Sequence, residues 1–252
     1  MREKLLLALL CCAQLGCASS EKITLSAGPD QQAIVRDGSP ALVSQKKNLV
    51  MLRANGRLVP SGSRPAFTLV VRNQGSKPET LLEAAVTANQ TVGSKLIAVR
   101  VYRYDELLQE EQTRQAWATF GTALSAAGRS MSAANAGYTN TTGSFNSYGA
   151  GGTAYGTYSA TTYDPLRAQV AQQAANAQTA NDVAMLRAEG EQNLNRLQQT
   201  ILKDNTVMPG EWYGGSIVLD PPAQADSGTS SYSIVVDFAG EQHTFAVSQV
   251  KG

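Results

Sequence analysis

The chain has 252 residues and a net charge of +1, long enough for one sizeable core and too nearly neutral for the basic stripe that binding nucleic acid or anionic lipid requires. Its three cysteines are Cys11, Cys12 and Cys17, and its one histidine is His243. Beyond position 17 this excludes a disulfide framework, a thiol nucleophile and any multi-histidine metal centre.

The first residues run from Met1-Arg2-Glu3-Lys4 through Leu5-Leu6-Leu7-Ala8-Leu9-Leu10 to Gln14-Leu15-Gly16-Cys17-Ala18-Ser19. That order is basic, apolar, small, then polar. An apolar core of roughly 7 to 15 residues has signal-peptide length, well short of the roughly 20 needed to cross a bilayer. The chain is therefore expected to be exported. Gly16-Cys17 resembles the lipobox of bacterial lipoproteins, in which the cysteine thiol is diacylated and the new amine acylated after cleavage before it. The resemblance covers only this segment. It implies lipidation at Cys17 and a membrane partner through the N-terminal lipid. Ala18 after the cysteine, where Asp would favour retention at the inner membrane, implies the bacterial outer membrane. Where the family prefers Leu and then a small residue, this chain has Gln14 and Leu15, and cleavage by an ordinary signal peptidase after Ala18 is the competing reading.

The small, polar stretch from 17 to 32 reads as a tether. Strand signals follow. Asn48 to Arg53 is a short apolar strand with Asn55-Gly56 as a hairpin turn behind it. Phe67, Leu69 and Val71 alternate with Thr68, Val70 and Arg72, and Asn73-Gln74-Gly75-Ser76-Lys77-Pro78 ends the run. Ile97, Val99 and Val101 alternate in the same way.

At Tyr104-Asp105 the period changes from two to about 3.6. Asp105 is the expected helix cap, and Trp117, Phe120, Leu124 and Met131 lie on the helix that follows. Asp164-Pro165 opens a second helix running to about Lys203. Between Trp117 and Tyr163 the only charged residue is Arg129. Gly121 and Ser125, Ala123 and Ala127, and Gly128 and Ser132 stand four apart, so small residues are expected to let the two helices lie close. The glycine-rich tip, 138–163, carries Tyr148, Tyr155 and Tyr158, amphipathic rings suited to a partner surface. As a loop it has no packed core of its own.

Strand signals return after Met208-Pro209-Gly210. Glu211-Trp212-Tyr213-Gly214-Gly215 reads as a turn bearing two large aromatics. Ile217 and Leu219 alternate, Tyr232, Ile234, Val236 and Phe238 share a face, and Ala239-Gly240-Glu241 turns the chain into His243, Phe245 and Val247. Neither β half is long enough to bury both its faces, so one interrupted sandwich is expected. Asp204, Glu211, Asp220 and Asp226 match no calcium loop.

The expected fold is α+β, an antiparallel β-sandwich interrupted by a long inserted helical hairpin. Its organisation is a signal peptide over 1–16, a lipid-anchored tether over 17–32, a sandwich from 33–104 plus 205–252, and the insertion over 105–204. The expected function is a non-enzymatic protein-binding or scaffold module on the envelope, with a protein partner or self-association, no nucleic acid and no cofactor. Catalytic and metal residues are not expected. Partner contact is expected at Tyr148, Tyr155, Tyr158, Trp212 and Tyr213. The alternatives are an inhibitor or immunity lipoprotein, and a hairpin-driven oligomeric membrane-active protein.

Overall fold

The computed structural model describes residues 19–92, 94–149, 152–223 and 229–251. The chain divides into two compact units, one of 1–107 with 197–252 and one of 108–196.

The first unit is an antiparallel β-sandwich of two six-stranded sheets. In spatial order, one sheet is β5 (Leu58–Pro60), β1 (Ser20–Ser26), β16 (Glu241–Lys251), β15 (Thr229–Phe238), β8 (Val86–Val92) and β9 (Lys95–Val99). The other is β10 (Val101–Tyr102), β14 (Trp212–Leu219), β6 (Ala66–Arg72), β4 (Leu49–Ala54), β3 (Ser39–Gln45) and β2 (Gln31–Arg36). A small ladder joins β7 (Glu79–Leu81) to β13 (Asn205–Val207). Strands from before and after the insertion interleave in both sheets. This follows from the period-two pattern: each strand offers one apolar face, and a sandwich buries both sheets' inner faces against each other.

The core is made by the alternating residues read from the sequence. Phe67, Leu69 and Val71 of β6 lie in the same buried cluster as Tyr232, Ile234 and Val236 of β15. Each such side chain contributes about 1.5–3 kcal/mol by leaving water. Register supports this packing: Phe67 stands opposite Ala54 and Ile217, and Ile234 opposite Phe245 and Ala88. The β15–β16 turn is the two-residue Ala239-Gly240, with φ of 56° and 71°. Positive φ at both positions matches the strand twist of a tight hairpin.

Several expectations are corrected. Residues 20–26 are not tether but β1, paired with β16 and β5, with Ile23 and Leu25 buried. Those two apolar residues alternate with Lys22 and Thr24, and the small polar residues around them mask the pattern. Residues 31 and 32 likewise begin β2. Asn55-Gly56 does not close a hairpin, because β4 pairs with β3 and β6, and the segment after it crosses to the other sheet as β5. The run through Ile97, Val99 and Val101 is split at Arg100, where the chain leaves β9 in one sheet and enters β10 in the other.

The 108–196 unit is built on α1 (Tyr104–Asn135) and α2 (Pro165–Thr200), whose outer turns lie in the sandwich unit. Asp105 is in the first turn of α1 rather than capping it. The Tyr104 backbone N–H donates to Glu83 Oε2 at 2.8 Å, and Glu106 reaches back to the Arg103 N–H at 3.0 Å, so two carboxylates serve groups a capping side chain would serve. At α2 the Asp164 carboxylate does accept from the Leu166 and Arg167 N–H groups, at 3.0 and 3.2 Å, with Pro165 in the first position. That helix ends at Thr200; Ile201 and Leu202 already bond to Ser216 of β14.

The tip is the largest departure from the loop expectation. β11 (Tyr138–Gly149) and β12 (Gly152–Tyr163) form a two-stranded antiparallel sheet of 12 residues on each side. Alternate Tyr, Phe and Thr residues carry strand propensity. The many glycines hide it, but two of them are covered by rings from the facing strand. A Cβ on Gly156 would stand 2.4 Å from the Phe145 ring, and one on Gly143 2.5 Å from the Tyr158 ring.

Candidate functional site

The seam between α1 and α2 is small and polar. Along α1 the partly or fully buried positions include Glu111, Gln115, Ala118, Thr122, Arg129 and Ala133, spaced by threes and fours as a helix–helix seam requires. Across it, Gln115 Nε2 donates to the Gly190 carbonyl at 3.1 Å and Asn193 Nδ2 to Glu111 Oε1 at 3.3 Å. Arg129 pairs with Asp182 and donates to Thr179 Oγ1 at 3.2 Å. Arg114 bonds Glu111 at 2.7 Å and reaches Glu189 at 3.4 Å. These bonds hold the Glu111 carboxyl down to about 2, chiefly through Arg114, with Gln115 and Asn193 adding to it against the opposing effect of burial.

The large apolar residues in the middle of α1 therefore face out, while Leu107 in its first turns is buried. Trp117 is 69% exposed, Phe120, Leu124 and Met131 about equally so, and the Trp117 and Phe120 rings meet edge to face at 6.2 Å. Their spacing puts them along one side of the helix. On α2, Leu166, Val170 and Met185 are exposed as well. A helix of a soluble domain ordinarily turns this stripe inward. The two helices do approach through small residues: Gly128, Ser132 and Ala133 of α1 line one cleft with Ala171, Ala174 and Ala175 of α2. Gly121 and Gly128 have open space where a Cβ would go, and Ala118, Thr122 and Ala133 are the closely packed small residues of the seam.

On the β11–β12 sheet Tyr148, Tyr155 and Tyr158 are all exposed, at 78%, 77% and 51%. The pairing of Asn146 with Tyr155 and Tyr148 with Thr153 places Tyr148 and Tyr155 on one face, while Tyr158, opposite Gly143, lies on the other.

Trp212 and Tyr213 are in the sandwich unit and open β14 rather than forming a turn. Trp212 is half exposed, with the Arg72 guanidinium 5.2 Å from its ring centre. Tyr213 points inward; its hydroxyl donates to the Lys203 carbonyl at 2.9 Å. Both line a cleft of about 540 Å³ with Arg53, Asn55, Thr68 and Ser216. A second cleft, of about 380 Å³, is lined by Glu83, Val99, Tyr102, Arg103, Leu202 and Ile217. Burial pushes the Glu83 carboxyl up, opposed by the Tyr104 N–H it accepts. Neither lining contains the histidine or a cysteine, and the larger contains no carboxylate.

His243 is fully buried, its Nδ1 3.0 Å from Ser44 Oγ, itself buried. Burial, then Lys46, lowers its pKa against the pull of Glu241 and Asp237. A neutral ring in the core beside a hydroxyl no substrate can reach is a structural pair. Asp204, Glu211 and Asp220 do not converge. Asp204 accepts from the Glu83 N–H, Glu211 from the Met208 N–H and Asp220 from the Tyr102 hydroxyl, and Asp226 lies outside the described residues. Among the described residues no group of three or more His, Cys, Asp or Glu could hold a metal. Cys17 also lies outside the described residues.

No known protein family matches the chain, and neither a curated protein nor a solved structure shows significant similarity to it. The unit over 108–196 is thus the strongest candidate on its own geometry. The outward stripe on α1 is absent from the sequence expectations, because periodicity shows that apolar residues share a face and not which way that face points.

Proposed function

We propose that this chain is a lipid-anchored protein of the bacterial envelope, non-enzymatic, in which the sandwich is a rigid base and the 108–196 unit makes the working contact, with a protein partner or with further copies of itself. The outward stripe of Trp117, Phe120, Leu124 and Met131 carries this reading. Exposed apolar surface of this kind marks interaction sites, and the seam behind it is already held together by hydrogen bonds and ion pairs that leave the stripe free for a partner. Anchoring is supported by the signal-like segment that ends at Cys17, and an outer-membrane location by Ala18 after it.

A membrane-active oligomer is the second reading, favoured by the 12-residue strands of the tip. An inhibitor or immunity role has no such observation behind it.

Crosslinking in intact cells tests the main reading. Converting Trp117, Phe120 and Leu124 together to glutamine is expected to spare the thermal midpoint and remove the crosslinked species. Converting Tyr148, Tyr155 and Tyr158 to serine is expected to do the same if the tip shares the contact. An earlier melt in the first variant would make the stripe core instead. Unchanged crosslinks in both variants would move the contact to Trp212.

A further inference from the structure

We infer that β11 and β12 are one copy's share of a membrane-spanning β-barrel, closed by β11 of one copy pairing with β12 of the next. This rests on the self-association reading of the 108–196 unit and gives that association a definite form.

The dimensions fit first. Twelve residues at about 3.4 Å each extend about 40 Å, and a strand tilted about 45° then rises about 28 Å, close to the hydrocarbon thickness of roughly 30 Å. No charged residue occurs between Arg129 and Asp164, so the whole sheet can enter lipid without burying a charge. The nearest charges stand just outside it.

The faces fit next. Register and alternation place Asn140, Thr142, Ser144, Thr157, Ser159 and Thr161 on one face. The opposite face has Phe145, Tyr158, Ala154 and Ala160 together with glycines and with Thr139, Thr141, Ser147 and Thr162, and the Phe145 and Tyr158 rings lie over glycines of the facing strand. A barrel wall around water turns its polar face inward and its less polar face to lipid, and here the face bearing Phe145 and Tyr158 is the less polar one. Tyr138, Tyr163, Tyr148 and Tyr155 share the polar face near its two ends and would ring the two mouths of the lumen.

The edges decide the occupant. Among the described residues the sheet has two strands, whose outer edges pair with no further strand. Soluble proteins blunt such edges with lysine, proline or a bulge. Here the strands contain none of these, and all 12 residue pairs run in unbroken register. Water can satisfy an open edge; a bilayer cannot, and only closure does. Two strands cannot close on themselves, and the smallest membrane barrels have about eight. The missing strands are therefore supplied by about three or more further copies. The chain before the described structure ends at Ala18 and holds Cys17, whose lipidation, under the proposed function, brings every copy to one membrane where they can meet.

The test uses the purified, acylated full-length chain with vesicles of phosphatidylethanolamine and phosphatidylglycerol holding a self-quenched dye. Dye release and stepwise conductance in planar bilayers of the same lipids are expected. Ser144→Asp is expected to shift the conductance toward cations, and Phe145→Asp to lose release at least tenfold while the sandwich melt is unchanged. A Thr141→Cys preparation mixed with Tyr158→Cys, Ala160→Cys or Thr162→Cys is expected to give an oxidised heterodimer in vesicles. Sealed vesicles with these heterodimers present would overturn the barrel and leave self-association standing. Sealed vesicles without heterodimers, and without crosslinked copies in cells, would overturn both. Release that persists in Phe145→Asp, or a Ser144→Asp pore of unchanged selectivity, would overturn the assignment of the faces.

Discussion

Phe67 and Tyr232 meet edge to face in the sandwich core, ring centres 6.4 Å apart and planes at 75°, although the entire 108–196 unit separates them in the chain. The β strands on either side of the insertion thus complete one another's core. Replacing 108–196 by a ten-residue Gly/Ser linker, whose mean span is about 17 Å, is expected to leave a cooperatively folded β protein. Changing loop length costs only about 0.6 kcal/mol per doubling. The check is a sigmoidal thermal melt with β-type circular dichroism. A broad, non-cooperative melt would show that the sandwich depends on its insertion.

Gly215 is required by close approach. A Cβ there would stand 2.6 Å from the Leu202 backbone N and Cα, where the chain returning from α2 bonds to Ser216. Backbone cannot swing aside as a side-chain end can, so Gly215→Ala is expected to destabilise the sandwich by about 1–3 kcal/mol. The neighbouring Gly210 has a φ of 82° in open space. Alanine there strains the backbone by about 1 kcal/mol through conformation alone. Chemical denaturation of the two variants should rank Gly215→Ala as the more damaging.

Glu111 makes the helical hairpin sensitive to acid. Its folded pKa is lowered from 4.5 to about 2, so its stabilising effect is complete above about pH 4.5 and is lost as pH falls toward 2. Hydrogen-exchange protection within α1 and α2 is expected to fall over that window in the native chain. Glu111→Gln should show lower protection at neutral pH and a flatter profile between pH 4.5 and 2. Equal slopes in both proteins would remove Glu111 as the cause.

Lipidation at Cys17 is tested by location. Single acyl chains bind membranes marginally, and two or more anchor stably. Cys17→Ala is expected to move the protein from the membrane fraction to the soluble periplasmic fraction and to abolish labelling by a palmitate analogue. Unchanged membrane partitioning of that variant would point to anchoring by another part of the chain.

The sequence by itself determined the fold class, most strand faces and the entry to α2. Those depend on local signals: period-two alternation at Phe67-Leu69-Val71 and Tyr232-Ile234-Val236, and the Asp164-Pro165 cap. It did not reveal that Ser20–Ser26 is a strand, because two apolar residues among polar ones carry too little signal until β16 lies beside them. Nor did it reveal the ordered sheet at 138–163. Glycine lowers strand propensity wherever it stands, and only pairing brings Phe145 over Gly156 and Tyr158 over Gly143. The direction of the Trp117-Phe120-Leu124 stripe was likewise decided by tertiary structure. Two helices can meet through an apolar seam or through a small, hydrogen-bonded one, and it was Gln115, Arg129 and Asn193 finding Gly190, Asp182 and Glu111 across the seam that turned the apolar side outward.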